Sequence, residues 1–152
     1  MLATPTKFTL VAGSAEANSR LNAFDNALLA AGIGNLNLVR VSSILPPGAT
    51  RVDTLNIAPG SLVPTAYGTI TSDTPGELIA AAVGVGRQAD GYGVIMEFSG
   101  KCSREEAEAT VAQMVRDAFA RRGLELTELL VKGAEHRVER IGCAFAAVAL
   151  WY

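Results

Sequence analysis

Two adjacent serines, Ser42 and Ser43, follow an apolar stretch where the sequence reads VRVSSILPPG. A serine hydroxyl can attack the carbonyl carbon of the preceding residue when the backbone is bent and strained. The amide becomes an ester, and β-elimination then breaks the chain and leaves a dehydroalanine, which tautomerises and loses ammonia to give a pyruvoyl group. The reaction also needs a donor for the developing oxyanion and a rigid exit, which the two prolines would supply. The alternative is an ordinary strand that stops at a turn, where serine pairs are common.

The rest of the sequence offers few other reactive groups. It has no Walker loop, no GxGxxG motif after a strand and no GxSxG elbow. The single histidine, His136, lies in a polar stretch and is more typical of a surface or edge residue than of a base. Cys102 and Cys143 form no ligand set with it, so we expect two small buried thiols in a reducing compartment. We therefore expect neither a metal nor pyridoxal phosphate.

The composition favours a single domain that associates with copies of itself. The chain has 152 residues, of which 49% are apolar and only 18% are charged, whereas soluble domains usually have about 25% charged residues. We expect part of the apolar surplus at subunit interfaces of a homo-oligomer. The net charge is −2 and no basic stripe is visible, which argues against nucleic acid as a partner.

Neither end of the chain has the features of a membrane or export segment. The C-terminal run CAFAAVALWY has 10 residues, about half of the ~20 that a membrane-spanning helix needs. The apolar run near the N-terminus is too short for the core of a signal peptide. We therefore expect a cytoplasmic protein that does not associate with membranes.

The pattern of apolar residues and turn formers predicts two helices among many strands. Gly32 and Gly34 would end the first helix, which Ser19 or Asn22 would cap, and Ser103 with Glu106 forms a capping box for the second. We interpret the chain as one α/β (α+β) layered domain with antiparallel or mixed sheets. The predicted helices cover 21–34 and 103–123. The predicted strands cover 7–13, 35–43, 62–73, 76–88 and 91–100, followed by 124–140 and 141–152, which are predicted to pair with each other. The segment 44–61 is predicted to be loop.

Four stretches together resemble one known family, the pyruvoyl-dependent arginine decarboxylases. They read LNAFDNALLAAGIGNLNLVRVSSILPPGA, LVPTAYG, GVIMEFSGKCSREEAE and GCAFAAVALWY, in the family's order and spacing from Val11 to Tyr152. The resemblance implies a four-layer αββα sandwich and a proenzyme that cleaves itself between Ser42 and Ser43. The products would be a β chain, 1–42, and an α chain, 43–152, that begins with a pyruvoyl group made from Ser43.

The same resemblance implies an activity, an assembly and roles for four more residues. The activity is decarboxylation of L-arginine to agmatine and CO₂ through a Schiff base, in a trimer or dimer of trimers with active sites between neighbouring subunits. Ser42 would become the end of the β chain, and Glu97 would be a proton donor whose pKa burial raises. Asn37 would hold the oxyanion of cleavage or orient the substrate, and Asp25 would pair with the guanidinium group.

Each assignment has a simpler alternative. Glu97 fits an exposed residue of a half-buried strand, Asn37 fits a turn or the start of a strand, and Asp25 fits a helix surface near the positive end of the dipole. For the whole protein, one alternative is an uncleaved trimeric paralogue that binds an amine without catalysis. Another is a decarboxylase of lysine or ornithine, because a carboxylate alone does not separate guanidinium from ammonium.

Overall fold

The structure is a computed structural model that describes residues 2–152. Within those residues the chain forms nine strands and two helices, which together account for most of its length. In chain order they are β1 Lys7–Glu16, α1 Arg20–Ala30, β2 Asn37–Arg40, β3 Ile44–Leu45, β4 Thr50–Arg51, β5 Leu62–Ser72, β6 Leu78–Arg87, β7 Gly93–Gly100, α2 Arg104–Arg122, β8 Glu128–Arg137 and β9 Gly142–Trp151.

The strands form two stacked mixed sheets. Sheet A has the order β2-β5-β9-β1-β4, and sheet B has the order β3-β7-β6-β8. The pairs β1–β4 and β2–β5 are parallel and the other pairs are antiparallel, which confirms the expected mixed pairing. The longest pairing in sheet A joins β1 to β9, from Lys7 opposite Trp151 to Glu16 opposite Gly142.

Each helix covers the outer face of one sheet. Helix α1 packs on β1 and β9 of sheet A, and α2 packs on β6, β7 and β8 of sheet B. The order of layers is therefore α1, sheet A, sheet B and α2, which confirms the four-layer αββα sandwich. Between the sheets lies a core of buried residues that is rich in small side chains, among them Ala66, Ala81, Ala144 and Ala146. Such side chains allow two sheets to approach closely without voids.

The ends of both helices follow from local sequence. The hydroxyl oxygen of Ser19 accepts a hydrogen bond from the amide of Asn22, so Ser19 is the cap of α1. In the same way Ser103 accepts from the amide of Glu106, and Gly123 ends α2 with φ of 67°. This left-handed conformation is easily adopted by glycine and is a common end of a helix. The predicted cap at Ser103 is confirmed, and the Glu106 carboxylate accepts a hydrogen bond from the Ser103 hydroxyl at 3.3 Å rather than from the Ser103 amide of a full capping box.

Three expectations about the strands need correction. The last two strands do not form a closing pair, because β8 pairs with β6 in sheet B and β9 lies between β5 and β1 in sheet A. The segment 44–61 is not all loop, since it contributes the two-residue strands β3 and β4. The second strand ends at Arg40 rather than at 43, because the chain leaves sheet A there.

The single histidine and the two cysteines of the sequence lie in three different surroundings. His136 lies on the edge strand β8, as expected, and its Nε2 hydrogen-bonds to the Glu16 carboxylate of β1, which joins the two sheets. Cys143 is fully buried and Cys102 is half-buried, and both are free thiols. No helix within residues 2–152 combines the length and the apolar character needed to cross a bilayer.

Candidate active site

The serine pair lies where the chain crosses from one sheet to the other. On the near side, the amide of Val41 donates to the carbonyl oxygen of Thr65 in sheet A at 3.1 Å. On the far side, the carbonyl oxygen of Ser43 accepts from the amide of Ile95 in sheet B at 2.7 Å. Ser42 between them is exposed, and Ser43 is half-buried. We call residues 37–42 the upstream arm and residues 43–49 the downstream arm.

The bend at the serine pair results from this crossing rather than from a left-handed backbone. No non-glycine residue in 2–152 has a positive φ, so the expected strain is not stored in that form. Within the same residues, no hydrogen bond involves the hydroxyl of Ser42 or Ser43. The hydroxyl of Ser43 thus has no hydrogen-bond partner among the described residues.

Glu97 lies on the strand that holds the downstream arm. It follows Ile95 by two residues, so both side chains point into the space between the sheets. A β-carbon added to Gly68 would lie 3.4 Å from the Glu97 Cβ and 3.3 Å from the Phe98 carbonyl oxygen, which shows how closely β5 approaches β7 here. Burial raises the pKa of the Glu97 carboxyl above its ordinary value, and the positive charge of Arg40 opposes part of that rise. Glu97 is thus half-buried rather than exposed.

Arg40 is a member of this site that the sequence reasoning missed. Its Nη2 donates to the carbonyl oxygen of Tyr67 at 2.6 Å, and its guanidinium lies 4.2 Å from the centre of the Tyr67 ring. The sequence signal was only a cation two residues before Ser42. The aromatic partner could not be deduced, because it depends on the register of β2 against β5.

A mostly apolar cavity of about 270 Å³ adjoins Ser42. It lies against the ends of the chain and the start of the downstream arm, with Leu2, Ala3, Pro5, Val41, Ser42, Ile44, Pro46, Pro64, Leu150 and Tyr152 as its lining. Another cavity, of about 250 Å³, lies at the opposite edge of sheet A, where Asp53 and Lys132 contribute to its wall. Of these two cavities, only the first is lined by a residue of the serine pair, namely Ser42.

Two residues singled out in the sequence lie apart from this group. Asn37 begins β2, and its Nδ2 donates to the carbonyl oxygen of Gly60 at 3.0 Å. Asp25 lies on the exposed side of α1 and makes no ion pair or hydrogen bond with another described residue. A single subunit thus brings together Ser42, Ser43 and Glu97, without Asp25.

Metal ligands are not grouped in the part of the chain that the structure describes. Among residues 2–152, no three side chains of histidine, cysteine, aspartate or glutamate converge in a way that could hold a metal ion. The polar side chains described at this site are those of Ser42, Ser43, Glu97 and Arg40.

Comparison with known proteins agrees with this geometry. The sequence model of the family described as pyruvoyl-dependent arginine decarboxylase (PvlArgDC) matches residues 7–152. The protein named pyruvoyl-dependent arginine decarboxylase from Methanocaldococcus jannaschii is 55% identical over 150 residues, which cover 97% of this chain and 91% of that one. Proteins with the same name from Methanococcus vannielii and Pyrococcus horikoshii are 50% and 47% identical, over 97% of this chain and 92% and 96% of theirs. This chain belongs to the pyruvoyl-dependent arginine decarboxylase family.

Proposed function

We propose that this protein converts L-arginine to agmatine and CO₂ with a covalent pyruvoyl group formed when the chain cleaves itself between Ser42 and Ser43. One observation carries the proposal within the structure. Ser43 is held on β7 through Ile95, on the strand where the half-buried Glu97 follows two residues later. The relatives that are named pyruvoyl-dependent arginine decarboxylases support the same reaction.

The residues around Ser43 fit a pyruvoyl group at the start of a new chain. The precursor must be a serine with an uncommitted hydroxyl, and its main chain must stay in place after the bond before it breaks. The hydrogen bond from Ile95 to the Ser43 carbonyl and the pairing of Ile44 with Val94 both lie on the far side of that bond. Cleavage would leave these contacts intact.

In the reaction, the pyruvoyl group supplies a carbonyl that takes up the electron pair released when CO₂ leaves the substrate. Glu97 would give a proton to the α-carbon of the substrate, which requires its neutral form. Because burial raises the pKa of Glu97, more of the carboxyl stays protonated near neutral pH than in an exposed glutamate.

Substrate recognition and assembly are part of the same proposal. Exposed apolar side chains lie on the edge that carries the serine pair, namely Val39 (46% exposed), Ile44 (45%), Leu62 (67%) and Tyr152 (42%). We infer that a second copy of the chain covers them in a homo-oligomer, as a trimer or a dimer of trimers. A site between subunits would also bring the exposed carboxylate of Asp25 to the substrate guanidinium of a neighbouring copy. Asn37 would act near the cleavage site in the same assembly.

The decisive experiment follows the fate of the chain in the Ser43→Ala variant. Intact mass under denaturing conditions should give two chains for the wild type, with the larger lighter than its serine-started form by the mass of ammonia. Ser43→Ala should give one full-length chain and no agmatine, because alanine lacks the attacking hydroxyl. Ser61→Ala is the matched control, since Ser61 is half-buried like Ser43 and its hydroxyl binds the Ala58 carbonyl in a loop.

The same preparations distinguish the alternatives. Incubation with arginine, lysine and ornithine should give CO₂ chiefly from arginine. A wild-type chain that stays in one piece and binds amines without releasing CO₂ would instead indicate a binding paralogue. Agmatine production by Ser43→Ala would disprove the pyruvoyl mechanism.

A further inference from the structure

Strand β5 has an edge that β2 covers only in part. Strand β2 pairs with residues 62–65 of β5, and β5 continues to Ser72. Beyond the paired part, side chains bind the carbonyl oxygens along this edge, and an unpaired edge is otherwise a site for association with other strands. The three donors are Arg40 to Tyr67 at 2.6 Å, Ser99 to Thr69 at 3.1 Å and Arg20 to Thr71 at 3.1 Å.

Arg40 differs from the other two donors because its aromatic platform fixes its position. The Tyr67 ring beneath the guanidinium packs against Phe145 and Phe24, with ring centres 5.5 Å and 6.3 Å away. Phe145 is fully buried. A planar guanidinium that both stacks and donates loses little further freedom when it binds. Arg40 is thus held in one place although it lies at the surface.

Arg40 is also the side chain nearest to the serine pair in sequence that anchors the upstream arm. Together with the Val41–Thr65 hydrogen bond, it fixes the backbone that leads to the Ser42 carbonyl. The hydroxyl of Ser43 is carried by the other arm, which is fixed on sheet B. The hydroxyl oxygen is joined to the Ser42 carbonyl carbon through N, Cα and Cβ of Ser43, so the backbone and side-chain torsions of Ser43 decide whether the two face each other. The backbone torsion depends on how firmly each arm is held.

We propose that Arg40 is a positioning residue for self-cleavage, which keeps the Ser42 carbonyl turned towards the Ser43 hydroxyl by anchoring the upstream arm to Tyr67. This inference rests on the self-cleavage proposed above. In the step concerned, a bond forms between Ser43 Oγ and the Ser42 carbonyl carbon while the bond from that carbon to the Ser43 nitrogen breaks. The hydroxyl proton passes to the released amine nitrogen. A small displacement of either partner slows such an intramolecular attack.

The test is the rate of chain cleavage, measured by intact mass at intervals after a short pulse of cell-free synthesis. Arg40→Met keeps an apolar stem on the Tyr67 ring but removes the donor and the charge. Cleavage should then slow at least about tenfold, which corresponds to the smallest loss expected for a hydrogen bond from a charged group. Arg40→Lys should be intermediate, because it keeps the charge without the planar fork. Arg20→Met is the matched control, since Arg20 binds a carbonyl of the same edge farther from the serine pair. It should cleave within about twofold of the wild type, as expected for an exposed surface contact.

The outcomes distinguish the role of Arg40 from the self-cleavage proposed above. If the wild type cleaves and Arg40→Met cleaves equally fast, Arg40 has no positioning role, while the proposed function stands. If Arg20→Met slows cleavage as much as Arg40→Met, the effect belongs to the whole edge of β5 and the specific role of Arg40 is refuted. Equal melting temperatures for the two methionine variants, with unequal cleavage rates, would support positioning over a general loss of stability. A wild-type chain that never cleaves would refute both proposals.

Discussion

The two arms that flank the serine pair are held in different ways. The upstream arm runs parallel to β5 in sheet A over four residues and adds the anchor of Arg40. The downstream arm pairs with β7 in sheet B over only two residues, in antiparallel register, and adds the hydrogen bond from Ile95 to Ser43. The segment from Val41 to Ser43, which contains the peptide bond between the two serines, crosses from sheet A to sheet B.

This difference separates two tasks. The downstream arm shares β7 with Glu97, so one strand sets the distance between the start of the proposed α chain and the proposed proton donor. The upstream arm belongs to the other sheet, and its position relative to Glu97 depends on the packing of the two sheets. We therefore expect changes to Glu97 to affect turnover, changes on the upstream arm to affect cleavage, and changes that move the downstream arm to affect both.

The largest effect on turnover should come from Glu97→Gln, which removes the acidic proton and leaves both arms in place. Decarboxylation should fall by about 10²–10⁴-fold, the usual contribution of a general acid. In the wild type, activity should fall as the pH rises through the raised pKa of Glu97, because the ionised carboxylate no longer donates. The pH profile of kcat/KM should show this descending limb, which Glu97→Gln should lack. A descending limb that persists unchanged in the variant would assign it to another group.

A smaller effect should come from Gly93→Ala, which disturbs the downstream arm at its pairing with β7. The added Cβ would lie 2.5 Å from the Gly86 carbonyl oxygen on β6 and 3.2 Å from the Cβ of Leu45 on β3, so β7 must shift away from β6 and β3 must give way with it. Overpacking of this kind costs about 1–3 kcal/mol of stability. We expect a lower Tm and, because Ser43 moves with β3, a decline of about tenfold or more in both cleavage and turnover.

Gly68→Ala is the matched control for that change. It adds the same methyl group to β5, where the nearest contact would be 3.3 Å from the Phe98 carbonyl oxygen. Its effect on Tm and cleavage should be clearly smaller. If the two glycine variants behave alike, the position of β3 is not what limits the reaction.

The smallest effect should come from Arg87→Met. Arg87 donates to the carbonyl oxygen of Ala49 at 2.9 Å and lies 5.4 Å from the centre of the Phe8 ring, so it holds the downstream arm much as Arg40 holds the upstream one. The Ser43–Ile95 hydrogen bond and the pairing of β3 already fix this arm nearer to the serines. Cleavage should therefore slow by no more than about threefold, in line with one hydrogen bond of modest net value. A slowing equal to that of Arg40→Met would show that the two arms are equivalent.

Local signals in the sequence predicted the features that depend on neighbouring residues. Ser103, Glu106 and Gly123 lie within or next to one helix, and the rules of capping apply to them without knowledge of the rest of the fold. The serine pair was likewise visible as two adjacent residues before a double proline. The layer order came from the family resemblance rather than from these patterns.

The features that were missed depend on pairing between distant parts of the chain. Strands β8 and β9 are neighbours in sequence and nevertheless belong to different sheets. The bend at residues 139–141 carries the chain from one sheet to the other. The contact of Arg40 with Tyr67 requires the register of β2 on β5, which no local pattern contains. The half-buried position of Glu97 similarly requires the approach of Gly68 from the opposite sheet.

The ten-residue pairing of β1 with β9 has a consequence for the molecule after cleavage. Strand β1 belongs to residues 1–42 and β9 to residues 43–152, so a chain cut after Ser42 would be a complex of two interlocked polypeptides. Complete unfolding would then also be dissociation, and its midpoint would depend on protein concentration. Refolding would require two polypeptides to meet again, whereas the uncut precursor needs only one.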